Sequence, residues 1–312
     1  MGPIRIVRHA SYQKRLFDVI PAWIGNNLPH LSELLSIREL PCELGAGARL
    51  LVPWLQDPVE AWSRETYDLV MALQAECDAT GIPVVNRVDR LANAGKARGS
   101  EIAASLGLRS PRMSLITDAA AFRRDFGGLA FPLFVREDWE HGSVIHQADT
   151  PEAARLVPLE RYRRPVAVEL IDVRDPRDGL FHKYRYFACG ETGVSGHVQV
   201  SKSWITRGNK RITNEQTQAE ELAYVGNPDP FHTRFQALRK AMGLDMIAVD
   251  YGLDAQGEPV VWEANPYPHI QFGTYTAYRN RAVHRTVAGV VRMYLRMAGL
   301  PVPPELDGVV DY

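Results

Sequence analysis

The sequence predicts a mixed fold, in which a small parallel α/β layer at the N-terminus is followed by α+β segments. Residues 4–86 alternate apolar strand patterns with a long helical pattern, which is typical of parallel strands joined by a helix. Two later pairs of apolar runs are each separated by a short tip that contains glycine, which indicates antiparallel hairpins. An amphipathic stretch over residues 282–298 predicts a closing helix that packs on a sheet.

The N-terminal layer is predicted as a first domain over residues 1–90. Strands are expected at residues 4–8, 49–53 and 83–86, with helix within residues 21–40 and a long helix that Pro58 opens and Gly81 ends. The region holds neither a GxGxxG nor a GxxxxGK[ST] motif, so neither the dinucleotide fingerprint nor the P-loop is supported.

The middle of the chain is predicted as two further domains, residues 91–165 and 166–312. We expect a helix within residues 93–106 and a second one, capped by Asp118, over 119–126. Apolar strands are expected at 131–136 and 166–173, a hairpin at 182–189 and 194–200, and a helix at 231–242. Because side chains alternate along a strand, Lys183 and Arg185 share one face of that hairpin.

The last hairpin, residues 246–253 and 259–264, carries the side chains that point most clearly to chemistry. A turn at residues 255–258 places Asp250 opposite Glu263, and Asn265 shares a face with Glu263. Two like charges across a ladder are destabilising, and a divalent cation would compensate them. The oxygen ligands of Asp250, Glu263 and Asn265 suit Mg²⁺ or Mn²⁺, but a surface hairpin with solvated acids fits the spacing equally well.

Composition excludes several classes of protein. The formal net charge of -1 supplies no basic field for nucleic acid. No run of 18 apolar residues and no signal-like N-terminus occurs, so we expect a cytoplasmic protein that does not act at membranes. Three cysteines without CxxC spacing indicate neither a disulfide framework nor a zinc site, and no HExxH motif is present.

The ordered set of motifs over residues 83–270 resembles the ATP-grasp superfamily. The matching pieces, in chain order, are Val84-Val85-Asn86, Lys96 before a helix, Pro111, Arg136 at the end of FPLFVR, Val168-Glu169-Leu170-Ile171, Arg185, and Asp250 with Glu263-Ala-Asn265. The resemblance implies an ATP-grasp fold with a pre-ATP-grasp α/β domain in front of it. It also implies ATP and Mg²⁺ (or Mn²⁺) as cofactors.

The resemblance assigns a role to each of these positions. Lys96 and Arg136, with Lys202 or Arg207, would bind phosphates, and Glu169, Leu170 and Ile171 would hold adenine. Arg185 would contact the transferred phosphoryl group or an acyl-phosphate, and Asp250, Glu263 and Asn265 would hold metal. From the residues alone, the cations could instead be ordinary solvated or strand-end charges, and Glu169 could form a structural ion pair with an arginine.

The implied activity is ATP-dependent ligation of a carboxylate to an amine or thiol. Its substrates would be small molecules or peptides, and the resemblance is also compatible with a homodimer. A small-molecule kinase of the same fold and a non-catalytic nucleotide- or partner-binding module are the alternatives.

Two features depart from the family pattern. Arginine replaces lysine at position 136, and the loop at residues 137–143 has one glycine and three acids where the family loop is rich in glycine. We therefore expect an unusual phosphate geometry, and acids that repel phosphate unless they point elsewhere.

Overall fold

The fold was analysed in a computed structural model of the full chain. The structure describes residues 2–9, 18–55, 59, 63–138, 144–204, 210–273 and 277–310. Three sheets organise these residues, and each sheet is built from neighbouring parts of the chain.

The first sheet has three parallel strands in the order β2-β1-β3: β1 (Ile4–Arg8), β2 (Leu35–Glu39) and β3 (Leu50–Pro53). Among the described residues, α1 (Val19–Asn27) and α2 (Arg64–Thr80) accompany it. Ser63 caps α2 by accepting a hydrogen bond from the Thr66 amide, and Gly81 ends it with a left-handed φ of 69°. The expectation that Pro58 opens this helix is wrong, because Ser63 has an extended backbone and the helix begins at Arg64. Pro58 itself lies outside the described residues.

Two N-terminal expectations need correction. β2 was not predicted as a strand, because it is a half-exposed edge strand whose short LSIRE pattern sits inside a helical interpretation of residues 21–40. Residues 83–86 do not form a full strand. Val84 makes a single parallel bridge with Leu51, and the chain then turns away at Asn86, which has a positive φ of 45°.

The second sheet is antiparallel, with the order β4-β7-β5-β6: β4 (Met113–Leu115), β5 (Leu133–Glu137), β6 (His146–Ala148) and β7 (Pro165–Glu169). Three α-helices belong to this part of the chain: α3 (Lys96–Ser105), α4 (Ala119–Asp125) and α5 (Pro151–Arg155). As predicted, Asp118 caps α4, accepting hydrogen bonds from the amides of Ala120 and Ala121. β7 ends at Glu169, so residues 170–173 of the predicted strand lie beyond it.

The third sheet is also antiparallel, with the order β11-β10-β8-β9: β8 (Phe181–Cys189), β9 (Thr192–Ser201), β10 (Met246–Leu253) and β11 (Pro259–Asn265). Both predicted hairpins are present. The helices of this part are α6 (Glu215–Gly226), α7 (His232–Met242), α8 (Ala277–Met297) and α9 (Pro304–Val310). Short 3₁₀ segments lie at Pro29–Leu31, Val88–Ala94, Phe126–Gly128 and Leu159–Arg161.

Helix α8 joins the first and third sheets into one apolar core. Its buried face includes Val287, Val290 and Val291, as its amphipathic pattern predicts. Two indole groups of the N-terminal part donate hydrogen bonds to it: Trp23 to the His284 ring at 2.8 Å and Trp54 to the Tyr294 hydroxyl at 3.1 Å. The second sheet keeps a separate core around Phe122, Leu133 and Val135.

The division into domains at residues 90/91 and 165/166 remains a prediction. β7 spans the second of these limits, and it pairs on both sides with strands that precede it. Its sheet therefore groups residues 166–169 with the segment before them.

Candidate functional site

A cavity of about 350 Å³ lies between the second and third sheets. That volume falls in the range of small-molecule sites. Its lining combines apolar side chains with four cations and three carboxylates, and the charged residues are Lys96, Arg136, Glu169, Lys183, Arg185, Asp250 and Glu263. Most of the residues predicted from the sequence as a site therefore face one space.

The charged part is built by a row of directly opposed residues across the third sheet. His197 on β9 faces Arg185 on β8, which faces Asp250 on β10, which faces Glu263 on β11. Directly opposed residues project from the same face of a sheet, so strand pairing alone brings these four side chains together. The predicted opposition of Asp250 and Glu263 is confirmed.

Asp250 lies at the centre of this row and is clamped by two cations. Arg185 donates through Nε to Oδ1 at 2.6 Å and through Nη2 to Oδ2 at 2.7 Å. Lys183 donates through Nζ to Oδ2 at 3.1 Å. Burial alone would raise the pKa of Asp250, but the charges of Arg185 and Lys183 outweigh burial and hold it well below its usual range. Asp250 is therefore a buried carboxylate whose charge is already matched.

His197 completes the row as a neutral group. Burial lowers the pKa of this histidine well below its ordinary value, and the nearby charges of Arg185 and Lys183 lower it further. Among the described residues, none forms a hydrogen bond with its buried Nε2 atom. A neutral imidazole adds no repulsion between the two cations.

Glu263 brings a second carboxylate to the cavity, and Lys96 faces it. The Lys96 ammonium lies 3.9 Å from Glu263 Oε1, and the lysine side chain is only 5% exposed. Lys96 occupies the first turn of α3, whose start is held by a residue from the second sheet. Asp138, which follows β5, accepts a hydrogen bond from the Ala97 amide at 2.9 Å and pairs with Arg164 at 3.1 Å.

These contacts show where two of the acids that were expected to repel phosphate, Glu137 and Asp138, point. Glu137 accepts hydrogen bonds from the backbone amides of Arg163 and Arg164, and Asp138 holds the start of α3. Both carboxylates are buried, and their hydrogen bonds hold backbone groups just before β7 of the second sheet and at the start of α3. The rest of the predicted loop, residues 139–143, lies outside the described residues.

The apolar part of the cavity centres on Trp204, which lies just after β9. Its ring packs on Phe134 of β5, with 3.8 Å between ring centroids and 34° between the planes. Val168, Leu170 and Met113 pack in the same cluster. An aromatic pair between the two sheets offers a flat apolar surface that suits a planar ring of a ligand.

The three residues predicted to hold adenine line this apolar part. The Glu169 carboxylate accepts from the Ala130 amide at 2.8 Å and lies 3.3 Å from Arg112, so the ion pair left open by the sequence is present. The Leu170 amide donates to the Pro132 carbonyl, so a base that contacts Leu170 through its backbone would use the carbonyl group.

Three predicted residues stand apart from the cavity lining. Lys202 is exposed and does not line the cavity. Arg207 lies outside the described residues. Asn265 is not among the lining residues; it is buried at the end of β11, where its Oδ1 accepts a hydrogen bond from the Tyr267 amide at 2.8 Å.

The predicted metal ligands fit a divalent cation unequally. Glu263 lines the cavity and offers a carboxylate there, and Asn265 lies two residues further along the same strand. Asp250 fits poorly, because three N–H groups already occupy its two oxygens and a carboxylate has about four lone-pair sites. Among the described residues, no group of three or more His, Cys, Asp or Glu side chains is arranged to hold a metal ion.

Sequence reasoning did not assign Lys183, Gln199 or Trp204 to the site. Lys183 carried a signal, because it shares a strand face with Arg185, and Gln199 lies opposite Lys183 on β9. Trp204 follows the end of β9, where no pattern indicates which way the chain turns.

No family model matches the sequence, and no curated protein is similar to it in sequence. In the part of the chain that the structure describes, no helix is long and apolar enough to span a membrane.

The fold itself is similar to that of solved ligases. D-alanine–D-alanine ligase from Bacillus anthracis is 13% identical, covers 96% of this chain and 97% of its own, and has a TM-score of 0.61. The ATP-grasp ligase PsnB, in complex with a phosphomimetic variant of its minimal precursor, Mg and ADP, is 14% identical, with coverages of 94% and 99% and a TM-score of 0.56. A RimK domain ATP-grasp protein from Sphaerobacter thermophilus is 15% identical, with coverages of 94% and 99% and a TM-score of 0.56. At such identities the likeness shows a shared fold.

Proposed function

The chain has the ATP-grasp fold, and from that premise we propose that it is an ATP-dependent ligase. It would join a carboxylate to an amine or thiol through an acyl-phosphate and release ADP and phosphate. The observation that carries this proposal is the cavity between the second and third sheets, which combines an apolar aromatic part with four cations. A nucleotide needs both, because its base is planar and its phosphates are strongly anionic.

In this proposal the base lies against Trp204 and Phe134 and near residues 169–171. The phosphates then extend toward Lys96 and Arg136, which approach from α3 and β5. Phosphoryl transfer depends chiefly on positioning and on electrostatic stabilisation, and cations held by folded elements provide both without reorganising. Lys202 and Arg207 are proposed as further phosphate contacts.

Arg185 is proposed as the group that stabilises the charge on the transferred phosphoryl group or the acyl-phosphate. Its Nε and Nη2 atoms are held by Asp250, which fixes the plane of the guanidinium. A planar group fixed on one edge offers its remaining N–H donors in a fixed direction. The role of Asp250 that the geometry supports best is therefore to orient Arg185.

We propose that Glu263 and Asn265 hold Mg²⁺ or Mn²⁺, which would neutralise phosphate charge when bound. Asp250, the third predicted ligand, would have to bind the ion beside Lys183 and Arg185, and the charges of both would repel a metal there. Lys96 lies beside Glu263 and would bind the phosphates whose charge this ion would neutralise.

The structural relatives indicate only the class of substrate. PsnB was also solved with a precursor peptide, and the Bacillus anthracis protein is a D-alanine–D-alanine ligase. We propose a small-molecule or peptide carboxylate and an amine as the substrates here. The domain limits and a homodimer remain predictions.

The test is a thermal-shift measurement with ATP and Mg²⁺, followed by a screen for ADP formation across panels of carboxylates and amines. Binding to the folded state raises its melting temperature, by mass action. ADP formed only when both substrates are present supports ligation. A stable phosphorylated product without ligation selects the kinase, and binding without turnover selects the non-catalytic module. No stabilisation by nucleotide at all contradicts the proposal.

A further inference from the structure

We infer that the Lys183 ammonium takes the place of a second divalent cation, so that this site binds nucleotide with a single metal ion. The inference rests on the proposed function, since it concerns how the site matches the charge of ATP. It starts from one juxtaposition: each carboxylate of the predicted metal pair faces a lysine of this chain, Asp250 facing Lys183 and Glu263 facing Lys96.

The two lysines contact their carboxylates differently. Lys183 Nζ lies within hydrogen-bond distance of Asp250 Oδ2, at 3.1 Å, whereas Lys96 Nζ lies 3.9 Å from Glu263 Oε1. Asp250 also receives two hydrogen bonds from Arg185. At Asp250, cations of the protein itself therefore occupy the place beside the phosphates that a metal ion would otherwise take.

Replacing Lys183 with a metal would be costly. The Lys183 side chain is 16% exposed and the Asp250 side chain 9% exposed, so their interaction is poorly screened by water. A metal at Asp250 would leave the ammonium buried beside the ion and the Arg185 guanidinium. Breaking a buried pair so that one charge loses its partner is strongly destabilising. A tethered cation also needs no recruitment from solution, which favours it over a free ion.

The test counts Mn²⁺ bound per bound nucleotide analogue. Purified protein is dialysed against a non-hydrolysable ATP analogue with excess Mn²⁺, and bound metal and bound nucleotide are both measured. We expect one Mn²⁺ per nucleotide for the wild type and for Lys183→Arg, which keeps the charge. We expect two for Lys183→Met, because the neutral side chain exposes Asp250 to a second ion.

The matched control is Lys240→Met, which removes an exposed lysine paired with Glu191 away from the cavity and should keep one Mn²⁺. Thermal unfolding checks that each variant is folded, and Lys183→Gln replaces Lys183→Met if the latter is not. Two Mn²⁺ per nucleotide in the wild type overturn the inference and leave the proposed function standing. One Mn²⁺ in the folded neutral variants also overturns it. A wild-type protein that binds no nucleotide analogue overturns the proposed function, and the inference with it.

Discussion

In the proposed arrangement, metal binding would depend most on Glu263, because Asp250 is already paired with Arg185 and Lys183. Glu263→Gln keeps the size of the side chain and removes its charge. Loss of an outer-shell partner alone costs about 10- to 100-fold in metal affinity, so loss of a direct ligand should reduce Mg²⁺-dependent ADP formation by at least about 100-fold. Rate assays across a series of Mg²⁺ concentrations measure this.

The control for that substitution is available on the same hairpin. Glu258→Gln neutralises an exposed carboxylate at the hairpin tip, where it pairs with Arg234 away from the cavity. It should leave the rate unchanged. Equal losses in both variants would mean that the hairpin's stability, and not a ligand, had been measured.

His182 provides a pH dependence of stability that is independent of catalysis. Its two ring nitrogens face Glu220 at 2.9 Å and Asp178 at 3.1 Å, and both can donate only in the protonated ring. Burial alone would lower the pKa of His182, but Glu220 and Asp178 outweigh it and raise the pKa above its ordinary value. The stabilisation is therefore present below the ordinary histidine pKa and is lost as pH rises through the raised one.

We expect the melting temperature to fall by about 2 °C or more as the pH rises above that range. His182→Gln should remove this part of the pH dependence, and His269→Gln, at an exposed position, should retain it. Melting curves at a series of pH values decide the matter. A wild-type dependence that survives in His182→Gln would assign the titration to another group.

At the scale of elements, the attachment of α3 to the second sheet positions Lys96. Asp138 accepts from the Ala97 amide and pairs with Arg164, so it caps a helix from a different part of the chain. Asp138→Ala should cost about 1–2 kcal/mol of unfolding free energy, as helix caps do. It should also weaken nucleotide binding, because the start of the helix would then be held less firmly, by the hydrogen bond from the Lys96 amide to the backbone carbonyl of residue 138.

Asp118→Ala separates these two effects. Asp118 caps α4 through the amides of Ala120 and Ala121, and it does not line the cavity. The variant should lose similar stability in denaturant unfolding while its nucleotide affinity, measured by calorimetry, stays unchanged. If both variants lost affinity equally, general loosening of the second sheet would explain the result.

Helix α6 is an element that the sequence does not predict, because its buried face is mostly polar. Helix α6 buries Thr217, Glu221 and Val225, a stripe of helical spacing in which two of the three side chains are polar. Glu221 is fully buried and pairs with Arg211 and Arg279, which are distant in sequence. Hydrophobic periodicity cannot detect a buried face that tertiary ion pairs satisfy.

At the scale of the whole molecule, Asn86 joins the N-terminal part to the hairpin of β10 and β11. Its amide nitrogen donates to the carbonyls of Met246 and Pro266, and its amide oxygen accepts from the N–H groups of Asp245 and Met246. Its φ of 45° is a left-handed conformation that asparagine tolerates better than most residues. One buried side chain thus fixes where β10 begins and where the chain leaves β11.

Asn86→Ala should destabilise the protein by about 3 kcal/mol or more, because it leaves buried backbone groups without partners. Asn86→Gly loses the same hydrogen bonds but accepts the positive φ, so it should be about 1 kcal/mol more stable than the alanine variant. Chemical denaturation measures both. A small effect of both substitutions would show that the junction relaxes around the missing amide.

The sequence by itself determined the features that depend on local chemistry. Alternation along β10 and β11 and the expected turn predict that Asp250 lies opposite Glu263. The structure reaches this pairing through a bulge, because the turn itself pairs Leu253 with Pro259. Cap residues and glycines marked where α2, α3 and α4 begin or end, since those signals act within a few residues.

Only the tertiary structure decided what the site residues contact. Asp250 is matched by Lys183 and Arg185 because β8 lies beside β10, a neighbour that no local pattern specifies. Asp138 contacts the start of α3, and Trp204, which follows β9 of the third sheet, packs on Phe134 of the second sheet. What a charged side chain does in a protein depends on the groups that it contacts. Those groups are brought together by the order of strands and by long-range packing, which the periodicity of the sequence does not encode.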